Sequence, residues 1–502
     1  MNLATRDKNW QTANTQQFDV AIVGGGINGA CLYDSLCKKG YRTVLIDKGD
    51  FACGTSQSSG MMVWGGLLYL KNFDFTSVYK FSKARDSMIN TYGDSISPRS
   101  FRYIPDKSFV QNKFFIHAGL YFYWLLGLFK RSKPKLQNRF KELSILDKGN
   151  NNSHLFEEGF LNESDSRFVL RWITPHTKPG QIALNYCELI NGEHSKKEKL
   201  WKLNTKDSLS GKTSTIHSKL VINCAGVWTD KINENFGIST PYKHIFSKGV
   251  YISTVKNKKH QSPLILDMGN NGDVLTYVPW GPVSMWGPTE TTINDISSGF
   301  KISKDDIDFL LTKYSKKLKY PIDEKDIVSF RCGVRPLVVS RSYSKDLYPL
   351  KLSRSSKIAV NKSQGWISVY GGKITGCTDV VKKTITAVSD NVSPSLISRE
   401  LDDNVINDIE WDHFPGLDEK LPSVEWCKKY EYCQTLEDYL RRRTNISQWI
   451  RREGLGGNNE YLPWIKDVAL RLYDGNSDKA NKSVTHYQRL VNDGFDSLIA
   501  SI

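Results

Sequence analysis

The sequence predicts an α/β fold, and three features near the start of the chain support this prediction. A short apolar segment at residues 18–23 has the composition of a buried strand. It is followed by a glycine-rich turn at 24–29, a helical segment at about 30–39 and a second apolar strand at 43–46. This order is that of a βαβ unit, so the first domain is predicted to be Rossmann-like.

The glycine-rich turn has the spacing of a dinucleotide-binding site. Gly24 allows a tight turn, Gly26 lets the backbone approach a pyrophosphate, and Gly29 lets the helix pack closely on the strand. The N-terminus of that helix supplies N–H groups and positive potential for phosphates. Asp47 ends the second strand, where a carboxylate can accept the hydroxyls of an adenosine ribose. An acid at this point favours FAD or NAD over NADP.

The segment after Asp47 favours FAD over NAD. Residues 50–56 are small and polar, which suits a loop along the pyrophosphate and ribityl chain that FAD has and NAD lacks. The pair Gly65-Gly66 gives a second place where the backbone can approach a flat ligand. Besides Gly24, Gly26, Gly29 and Asp47, the predicted cofactor contacts are Ile27, Asn28, Lys48, Thr55, Ser56, Ser59 and Gly65.

Length and composition predict a globular chain of two or three domains. At 502 residues the chain is too long for a single core. Its net charge of +16 is compatible with a solvated basic surface, with anionic lipid headgroups or with a phosphorylated substrate. No nucleic-acid-binding module is recognisable, so a nucleic acid partner is not expected. The nine cysteines include no CxxC pair, so we expect reduced thiols in a cytoplasmic protein and no metal site.

Two segments bear on contact with a membrane. The first seventeen residues are polar, show no signal peptide and are predicted to fray. The most apolar run, 117–129, is shorter than the roughly 18 residues that a membrane span needs. It is either a buried helix or an aromatic surface helix that dips into a bilayer. The second alternative stays open because basic residues follow directly, namely Lys130, Arg131, Lys133 and Lys135.

The rest of the chain predicts a second, mostly antiparallel sheet and a final helical region. Alternating apolar and polar residues indicate strands, and polar stretches indicate exposed hairpins. The predicted segments are a helix at about 76–91, a strand-like stretch at 98–105, hairpins between 190 and 218, a buried strand at 218–223 that ends on Ala225-Gly226, antiparallel strands within 241–350 and helices from about 400.

Several motifs carry a resemblance to a known family. GGGINGA at 24–30 and DFACGTSQSSGMMVWGGLLYL at 50–70 come first, and GVRPL at 333–337 and GGKIT at 371–375 follow. Together they resemble the FAD-dependent glycerol-3-phosphate dehydrogenases of the D-amino-acid-oxidase-like superfamily. The resemblance extends over about residues 17–495, and the matching motifs follow one another in the same order as in the family.

The resemblance implies three domains and a non-covalently bound FAD. A discontinuous FAD-binding domain is expected at 1–90, with further parts at about 215–240 and 355–395. An antiparallel substrate domain is expected at 91–214 and 241–354, and a C-terminal helical domain at 396–502.

The resemblance also implies which residues face the substrate. Arg335 and Arg354 match basic residues of the family that contact substrate, and the planar fork of arginine is suited to holding an anionic group. Lys373 would stabilise the developing oxyanion. The residues expected beside the flavin in this part of the chain are Ala225, Gly226, Gly372, Lys373 and Thr375.

Four positions depart from the family pattern. Met61 and Trp64 stand where the family has a lysine and a histidine, Leu68 where it has an arginine, and Tyr251 where it has another histidine. Either the substrate is bulkier and more apolar than glycerol 3-phosphate, or some of these positions lie beside the flavin. Trp64 and Tyr251 are accordingly predicted to contact the substrate, and Tyr251 can still serve catalysis as a hydrogen-bonding group.

The predicted function is oxidation of the secondary alcohol of glycerol 3-phosphate, or of a related, bulkier phosphorylated polyol, with hydride transfer to flavin N5. A quinone is the expected acceptor if the apolar helix docks on lipid, so the protein is expected to be cytoplasmic or peripheral on the cytoplasmic face of a membrane. A homodimer is compatible with the sequence. Two alternatives stay open: a flavin enzyme acting on an amine or a 2-hydroxy acid, and a flavin-binding protein without turnover.

Overall fold

Two large β-sheets with flanking helices form the fold. The computed structural model describes residues 3–106, 113–137, 141–146, 153–269, 274–343, 355–397 and 409–502. The strands are, in chain order, β1 Gln17–Val23, β2 Thr43–Ile46, β3 Met62–Val63, β4 Ile96–Ile104, β5 Lys135–Gln137, β6 Ser153–Leu161, β7 Gln181–Leu184, β8 Cys187–Ser195, β9 Leu200–Asp207, β10 Thr213–Asn223, β11 Tyr242–Val255, β12 Leu264–Asp267, β13 Val274–Trp280, β14 Val283–Gly287, β15 Thr291–Ile293, β16 Ile327–Ser340, β17 Lys357–Asn361, β18 Trp366–Tyr370, β19 Trp411–His413 and β20 Lys420–Pro422.

Helices connect these strands and make up most of the C-terminal region. They are α1 Leu3–Thr15, α2 Ile27–Lys38, α3 Phe75–Thr91, α4 Lys113–Leu126, α5 Asp165–Leu170, α6 Thr229–Asn235, α7 Ile296–Gly299, α8 Lys304–Ser315, α9 Cys377–Ser389, α10 Val424–Tyr430, α11 Ile446–Trp449, α12 Leu462–Leu472, α13 Ser477–Val491 and α14 Ser497–Ser501.

The first sheet is mostly parallel and confirms the predicted βαβ unit. Its order is β17-β18-β10-β1-β2-β7, and β9 and β8 extend it from β10 as antiparallel strands. β1 lies in parallel between β2 and β10. Because parallel strands end at the same edge of a sheet, the loops that follow β1, β2 and β10 meet at one edge, where nucleotide ligands bind in open α/β sheets.

The second sheet is mostly antiparallel and includes two long paired strands. Its order is β15-β11-β14-β13-β12-β4-β6-β3, with β16 paired to β11 and β5 to β6. β11 and β16 are each 14 residues long and pair along most of their length. This register places Ser247 opposite Arg335 and Tyr251 opposite Arg331.

The apolar core joins the two sheets, and the C-terminal region adds a core of its own. The largest cluster of buried side chains contains Ile22 and Leu45 of the first sheet together with Phe101 and Ile265 of the second. A separate cluster in the C-terminal helices contains residues such as Tyr439 and Ile465. The two sheets therefore pack as one unit, to which the C-terminal helices are attached.

Strand pairing differs from the predicted domain limits in two places. β7, β8 and β9 pair within the first sheet, although residues 91–214 were expected in the substrate domain. β3 pairs with β6 of the second sheet, although residues 1–90 were expected in the FAD-binding domain. Both differences arise because strand pairing depends on tertiary context, which local sequence patterns do not contain.

The N-terminal segment is ordered, so the prediction that it frays is wrong for α1. The buried Arg6 guanidinium donates from Nη1 to Oδ2 of Asp207 (3.0 Å) and from Nη2 to the carbonyl oxygen of Asn185 (2.9 Å). Removing one partner of a buried ion pair destabilises a protein. The pair of Arg6 with Asp207 therefore holds α1 against the first sheet.

The apolar run at 117–129 lies in and just after α4, which is a surface helix. Leu120 and Tyr123 face the core, whereas Phe115 and Phe122 are 76% and 41% exposed. Of the two alternatives for this run, the buried helix is therefore wrong. Within the described ranges, no helix is long and apolar enough to cross a bilayer.

Candidate active site

A cavity of about 680 Å³ opens where β1, β2 and β10 end and continues to the second sheet. Most residues that the sequence assigned to the site line this cavity. These are Gly24, Gly26, Ile27, Asn28, Asp47, Lys48, Thr55, Ser56, Ser59, Trp64, Ala225, Gly226, Tyr251, Arg335, Gly372, Lys373 and Thr375.

The glycine-rich turn is shaped by two close backbone contacts. Gly24 has φ +103°, and a Cβ built on it would lie 2.6 Å from the carbonyl oxygen of Cys224, which directly follows β10. A Cβ on Gly29 would lie 1.9 Å from the carbonyl oxygen of Gly24. Gly29 itself does not line the cavity, so its contribution is to let α2 pack against the turn.

Asp47 is fixed at the edge of the cavity by two backbone donors. The N–H of Gly25 donates to its Oδ2 (2.7 Å) and the N–H of Gly49 to its Oδ1 (2.9 Å). Burial raises the pKa of Asp47 to about 6, although the hydrogen bonds from Gly49 and Gly25 lower it. The carboxyl is therefore mostly ionised at pH 7.5 and offers acceptor oxygens for ribose hydroxyls.

Three details of the cavity fit a large dinucleotide. The residue before α2 is Gly26, which has no side chain to cap the helix and leaves its N-terminus open to phosphates. Asn28 donates from Nδ2 to the carbonyl oxygen of Gly371 (3.0 Å), while its buried Oδ1 has no hydrogen-bond partner in the described parts of the chain. Gly226 has φ +57°, and a Cβ built on it would meet open space.

The segment 55–59 links the nucleotide end of the cavity to both sheets. The N–H of Ile27 donates to Oγ of Ser56 (3.0 Å), and Oγ1 of Thr55 donates to the carbonyl oxygen of Val334 in β16 (2.6 Å). The N–H of Ser59 donates to Oδ2 of Asp165 (2.8 Å). The segment therefore has a fixed path between α2 and the strand that carries Arg335.

Arg335 projects from β16 into the end of the cavity formed by the second sheet. Its Nη1 lies 3.2 Å from Oε2 of Glu290 and 3.4 Å from Oγ of Ser247, the residue opposite in β11. Ser247 in turn donates to Oε1 of Glu290. Glu290 also lines the cavity, and sequence reasoning did not assign it to the site.

Lys373 lies against an aromatic wall of the cavity. Its Nζ donates to the hydroxyl of Tyr69 (3.1 Å) and lies 3.6 Å from the ring centre of Phe81, which is stacked on Tyr69. Both contacts hold an ammonium group in one position. Tyr69 was missed by sequence reasoning, although its place in the motif at 50–70 could have indicated it.

Most of the residues that depart from the family pattern line the cavity. Trp64, Leu68 and Tyr251 line it, whereas Met61 is fully buried and does not. A Cβ on Gly60 would lie 2.5 Å from the hydroxyl oxygen of Tyr251, so the two residues are in close contact. Burial raises the pKa of Tyr251, although the charges of Arg335 and Arg331 lower it, so the phenol is protonated at neutral pH.

One further predicted site residue does not join the site. Gly65 faces away from the cavity: its N–H donates to Oε2 of Glu158 (2.9 Å), and a Cβ on it would lie 2.1 Å from the hydroxyl oxygen of Tyr123. Its neighbour Gly66 lines the cavity instead. Arg354 lies outside the described residues.

The family of the chain follows from its sequence. A scan against known protein families matches the FAD dependent oxidoreductase family, DAO, at residues 19–106 and 176–376, which is more than half of the chain. The chain belongs to this family. It is thus an FAD-dependent oxidoreductase.

The chain is also similar to individual relatives and to solved structures. Aerobic glycerol-3-phosphate dehydrogenase of Staphylococcus aureus is 27% identical over 379 residues, covering 74% of this chain and 67% of the relative. Glycerol-3-phosphate dehydrogenase from Bacillus halodurans, solved with FAD, has a TM-score of 0.68 at 18% identity and covers 99% of this chain and 97% of that one. Glycine oxidase from Geobacillus kaustophilus has a TM-score of 0.52 at 16% identity, covering 76% and 96%. The two structures show the fold.

Proposed function

We propose that this oxidoreductase oxidises the secondary alcohol of glycerol 3-phosphate or of a related, bulkier phosphorylated polyol. The observation that carries the proposal is that Arg335 and Lys373 line the same cavity as the residues predicted to hold FAD. Bound FAD supplies the hydride acceptor. The similarity to glycerol-3-phosphate dehydrogenases supports the substrate class.

Arg335 binds the anionic group of the substrate. Its side chain is 23% exposed, so the guanidinium is mostly removed from bulk water while still reaching the cavity. Ser247 and Glu290 hold it in one orientation. A pre-oriented guanidinium loses little side-chain entropy on binding an anion and places the alcohol carbon at a fixed distance from it.

Lys373 stabilises negative charge that develops on the alcohol oxygen as its proton leaves. The ammonium is held by Tyr69 and Phe81 on one side and lines the cavity on the other. A fixed charge of this kind lowers the barrier because it needs no reorganisation when the oxyanion forms. The protonated phenol of Tyr251 adds a hydrogen-bond donor in the same cavity.

The proposal is tested by anaerobic reduction of the bound flavin. Glycerol 3-phosphate is expected to bleach the flavin band at about 450 nm, a property of the cofactor itself. Arg335→Ala is expected to raise KM at least a hundredfold while the protein keeps its flavin, because a charged hydrogen bond to the anion is lost. Arg341→Ala is the matched control, since Arg341 is half exposed and absent from the cavity lining.

Two outcomes would contradict the proposal. A holoenzyme that stays yellow with glycerol 3-phosphate and with larger phosphorylated polyols does not have this activity. Bleaching by amines or 2-hydroxy acids, together with peroxide formation, would assign the cavity to that alternative. An Arg335→Ala enzyme with unchanged KM would remove the role given to Arg335.

We also propose that electrons leave the flavin to a membrane quinone. The aromatic patch is a surface that joins the start of α3 to α4; it consists of Phe73, Phe75, Phe114, Phe115, Phe122, Leu125, Leu128 and Phe129, each at least 41% exposed. Phe75 contacts Phe122 edge to face, with ring centres 5.2 Å apart. The exposed Lys130, Lys133 and Lys135 follow the patch, as on surfaces that dock on anionic lipid. Leu68 and Tyr69, which line the cavity, lie just before Phe73.

Vesicle binding tests the docking surface. The holoenzyme is expected to sediment with vesicles of phosphatidylglycerol and phosphatidylcholine at low salt. Phe115→Glu is expected to lower the partition coefficient about tenfold or more, because burying a phenylalanine contributes about 1.5–3 kcal/mol. Tyr320→Glu is the control, since Tyr320 is 67% exposed and lies outside the patch. Equal binding of the two variants would contradict the assignment of the patch.

A further inference from the structure

The loop that carries Lys373 begins with a peptide group held from two sides. Gly371, which directly follows β18, has φ +65°, and Gly372 has φ +100°, so the chain turns sharply before Lys373 reaches the cavity. The N–H of Gly371 donates to Nε2 of His244 (3.0 Å), and its carbonyl oxygen accepts from Nδ2 of Asn28 (3.0 Å). His244 belongs to β11 of the second sheet, and Asn28 belongs to α2. The start of the loop is therefore attached to both halves of the cavity wall.

The partners of His244 fix which nitrogen of its ring carries the proton. Because Nε2 accepts a hydrogen bond, the proton of the neutral ring is on Nδ1. Nδ1 lies 3.2 Å from Oδ2 of Asp230, which also accepts the backbone N–H of His244 (2.8 Å). Although burial acts to raise it, the contacts with His244 lower the pKa of Asp230, so its carboxyl is ionised at neutral pH. Asp230 thus favours the tautomer that accepts from Gly371.

Packing holds the ring of His244 against the loop. Its side chain is fully buried, and its ring centre lies 4.9 Å from that of Tyr370 in β18. The hydroxyl of Tyr370 accepts from Nδ2 of Asn233 (2.8 Å) and donates to Oδ1 of Asp230 (3.3 Å). A buried polar network whose members are hydrogen-bonded to one another holds a single arrangement of its side chains.

We infer that His244 is a positioning residue of the active site, which sets the path of the Lys373 loop through the N–H of Gly371. Tyr69 and Phe81 hold the ammonium end of Lys373, and His244 holds the start of its backbone loop. A misplacement of about 1 Å can cost about a hundredfold in rate, so His244 affects the reaction without lining the cavity. The inference rests on the proposed function for the step in which Lys373 takes part, whereas the hydrogen bond to Gly371 is measurable without turnover.

Two variants separate the roles of the two ring nitrogens. His244→Gln keeps an acceptor near the position of Nε2, whereas His244→Asn keeps a polar group near Nδ1 and removes the acceptor for Gly371. At saturating glycerol 3-phosphate, the limiting rate of anaerobic flavin bleaching is expected to fall at least about tenfold in His244→Asn and less than about threefold in His244→Gln. The half-saturating concentration is expected to stay within about twofold in both, because Arg335 still binds the anion.

A second buried histidine provides the matched control. Nε2 of His176 lies 2.9 Å from Oδ1 of Asp34, and His176 is absent from the cavity lining. His176→Asn therefore disturbs a comparable buried pair without touching the acceptor of Gly371, and it is expected to leave the limiting rate of bleaching within about threefold of the wild type.

Hydrogen exchange at the Gly371 amide tests the contact without any turnover. In the wild-type holoenzyme this amide is expected to exchange at least about tenfold more slowly than an unprotected peptide amide. His244→Gln is expected to keep this protection, and His244→Asn is expected to lose it. Fragmentation of the labelled peptide in the mass spectrometer separates the Gly371 amide from its neighbours.

Three results would overturn the inference. The first is exchange of the Gly371 amide at the unprotected rate in the wild type, which needs no variant. The second is an equal limiting rate of bleaching in His244→Gln and His244→Asn. The third is a loss of rate in His176→Asn as large as that in His244→Asn. If no phosphorylated polyol bleaches the flavin while the exchange pattern holds, the proposed function fails and the positioning of the loop by His244 stands.

Discussion

The position of one guanidinium depends on a glycine in the neighbouring strand. Arg335 lies opposite Ser247 in the pairing of β16 with β11, and Gly249 is two residues farther along β11. A Cβ built on Gly249 would lie 2.3 Å from Nη2 of Arg335, so the guanidinium lies flat against the glycine backbone. The absence of a side chain at residue 249 thus sets where the Arg335 guanidinium lies.

Gly249→Ala is predicted to displace the Arg335 guanidinium without unfolding the protein. The clash is with the end of a flexible side chain, so the arginine moves and the strand stays. We expect the KM for the substrate alcohol to rise about tenfold, because a displaced guanidinium loses its aligned hydrogen bonds to the anionic group. The flavin content is expected to stay the same. Gly119→Ala is the control, because a Cβ there meets nothing within 4 Å. An unchanged KM in Gly249→Ala would contradict the packing argument.

At the scale of elements, a pair of histidines joins the surface helix α4 to the second sheet. Nδ1 of His117 in α4 lies 3.4 Å from Nδ1 of His154 in β6. Burial, together with the smaller effect of the nearby His117, lowers the pKa of His154 to about 4. The helix that carries much of the aromatic patch is therefore attached at a site that disfavours protonation.

Stability is predicted to fall between pH 6.5 and 4 through His154. The folded pKa lies below the ordinary value of about 6.5, so the unfolded chain binds the proton first, and stability is complete above pH 6.5 and declines as the pH approaches 4. His154→Gln removes this group, so the loss of Tm between pH 7.5 and 4.5 is expected to be smaller than in the wild type. His486→Gln, at an exposed histidine, serves as control. If the Tm of the wild type and that of His154→Gln fall by the same amount over this pH range, the role given to His154 is wrong.

At the scale of the whole molecule, buried ion pairs attach the C-terminal helices to the segment that follows Asp47. Asp50, three residues after Asp47, accepts hydrogen bonds at Oδ2 from Nε of Arg442 and Nη1 of Arg443, both at 2.6 Å. Although burial acts to raise it, the charges of Arg443 and Arg442 lower the pKa of Asp50 to about 2. Arg442 also donates from Nη1 to Oε1 of Gln57 (3.2 Å). The C-terminal region thereby holds residues 50–57 in position.

Asp50→Asn is predicted to destabilise the protein and loosen its flavin. Removing one partner of a buried ion pair costs about 3–5 kcal/mol, because the other charges stay buried without it. We expect a lower urea midpoint and a faster rise of free-flavin fluorescence on dilution. Asp496→Asn is the matched control, since its pair with Arg452 is partly exposed and such pairs contribute about 0–1 kcal/mol. Equal effects of the two variants would argue against a bracing role.

The sequence by itself identified FAD as the cofactor and predicted the residues around it. The turn at 24–29, Asp47 and the segment 50–56 lie within about one βαβ unit, so local geometry fixes their relation, and the family match confirms FAD. GVRPL and GGKIT pointed to Arg335 and Lys373, and the fold places both on the cavity. Arg335 and Lys373 could be found in advance because their motifs resemble those of a known family.

Only the tertiary structure decided how distant segments meet. The pairing of β7 with β2, the contact of Glu290 with Arg335 and the place of Gly65 behind the cavity depend on strand register between parts of the chain that are far apart in sequence. The exposure of α4 depends likewise on which neighbours cover it. Local propensity and periodicity report what each segment can form, whereas the partners of a side chain are set by long-range packing, and that packing is what fixes the charge inside this site.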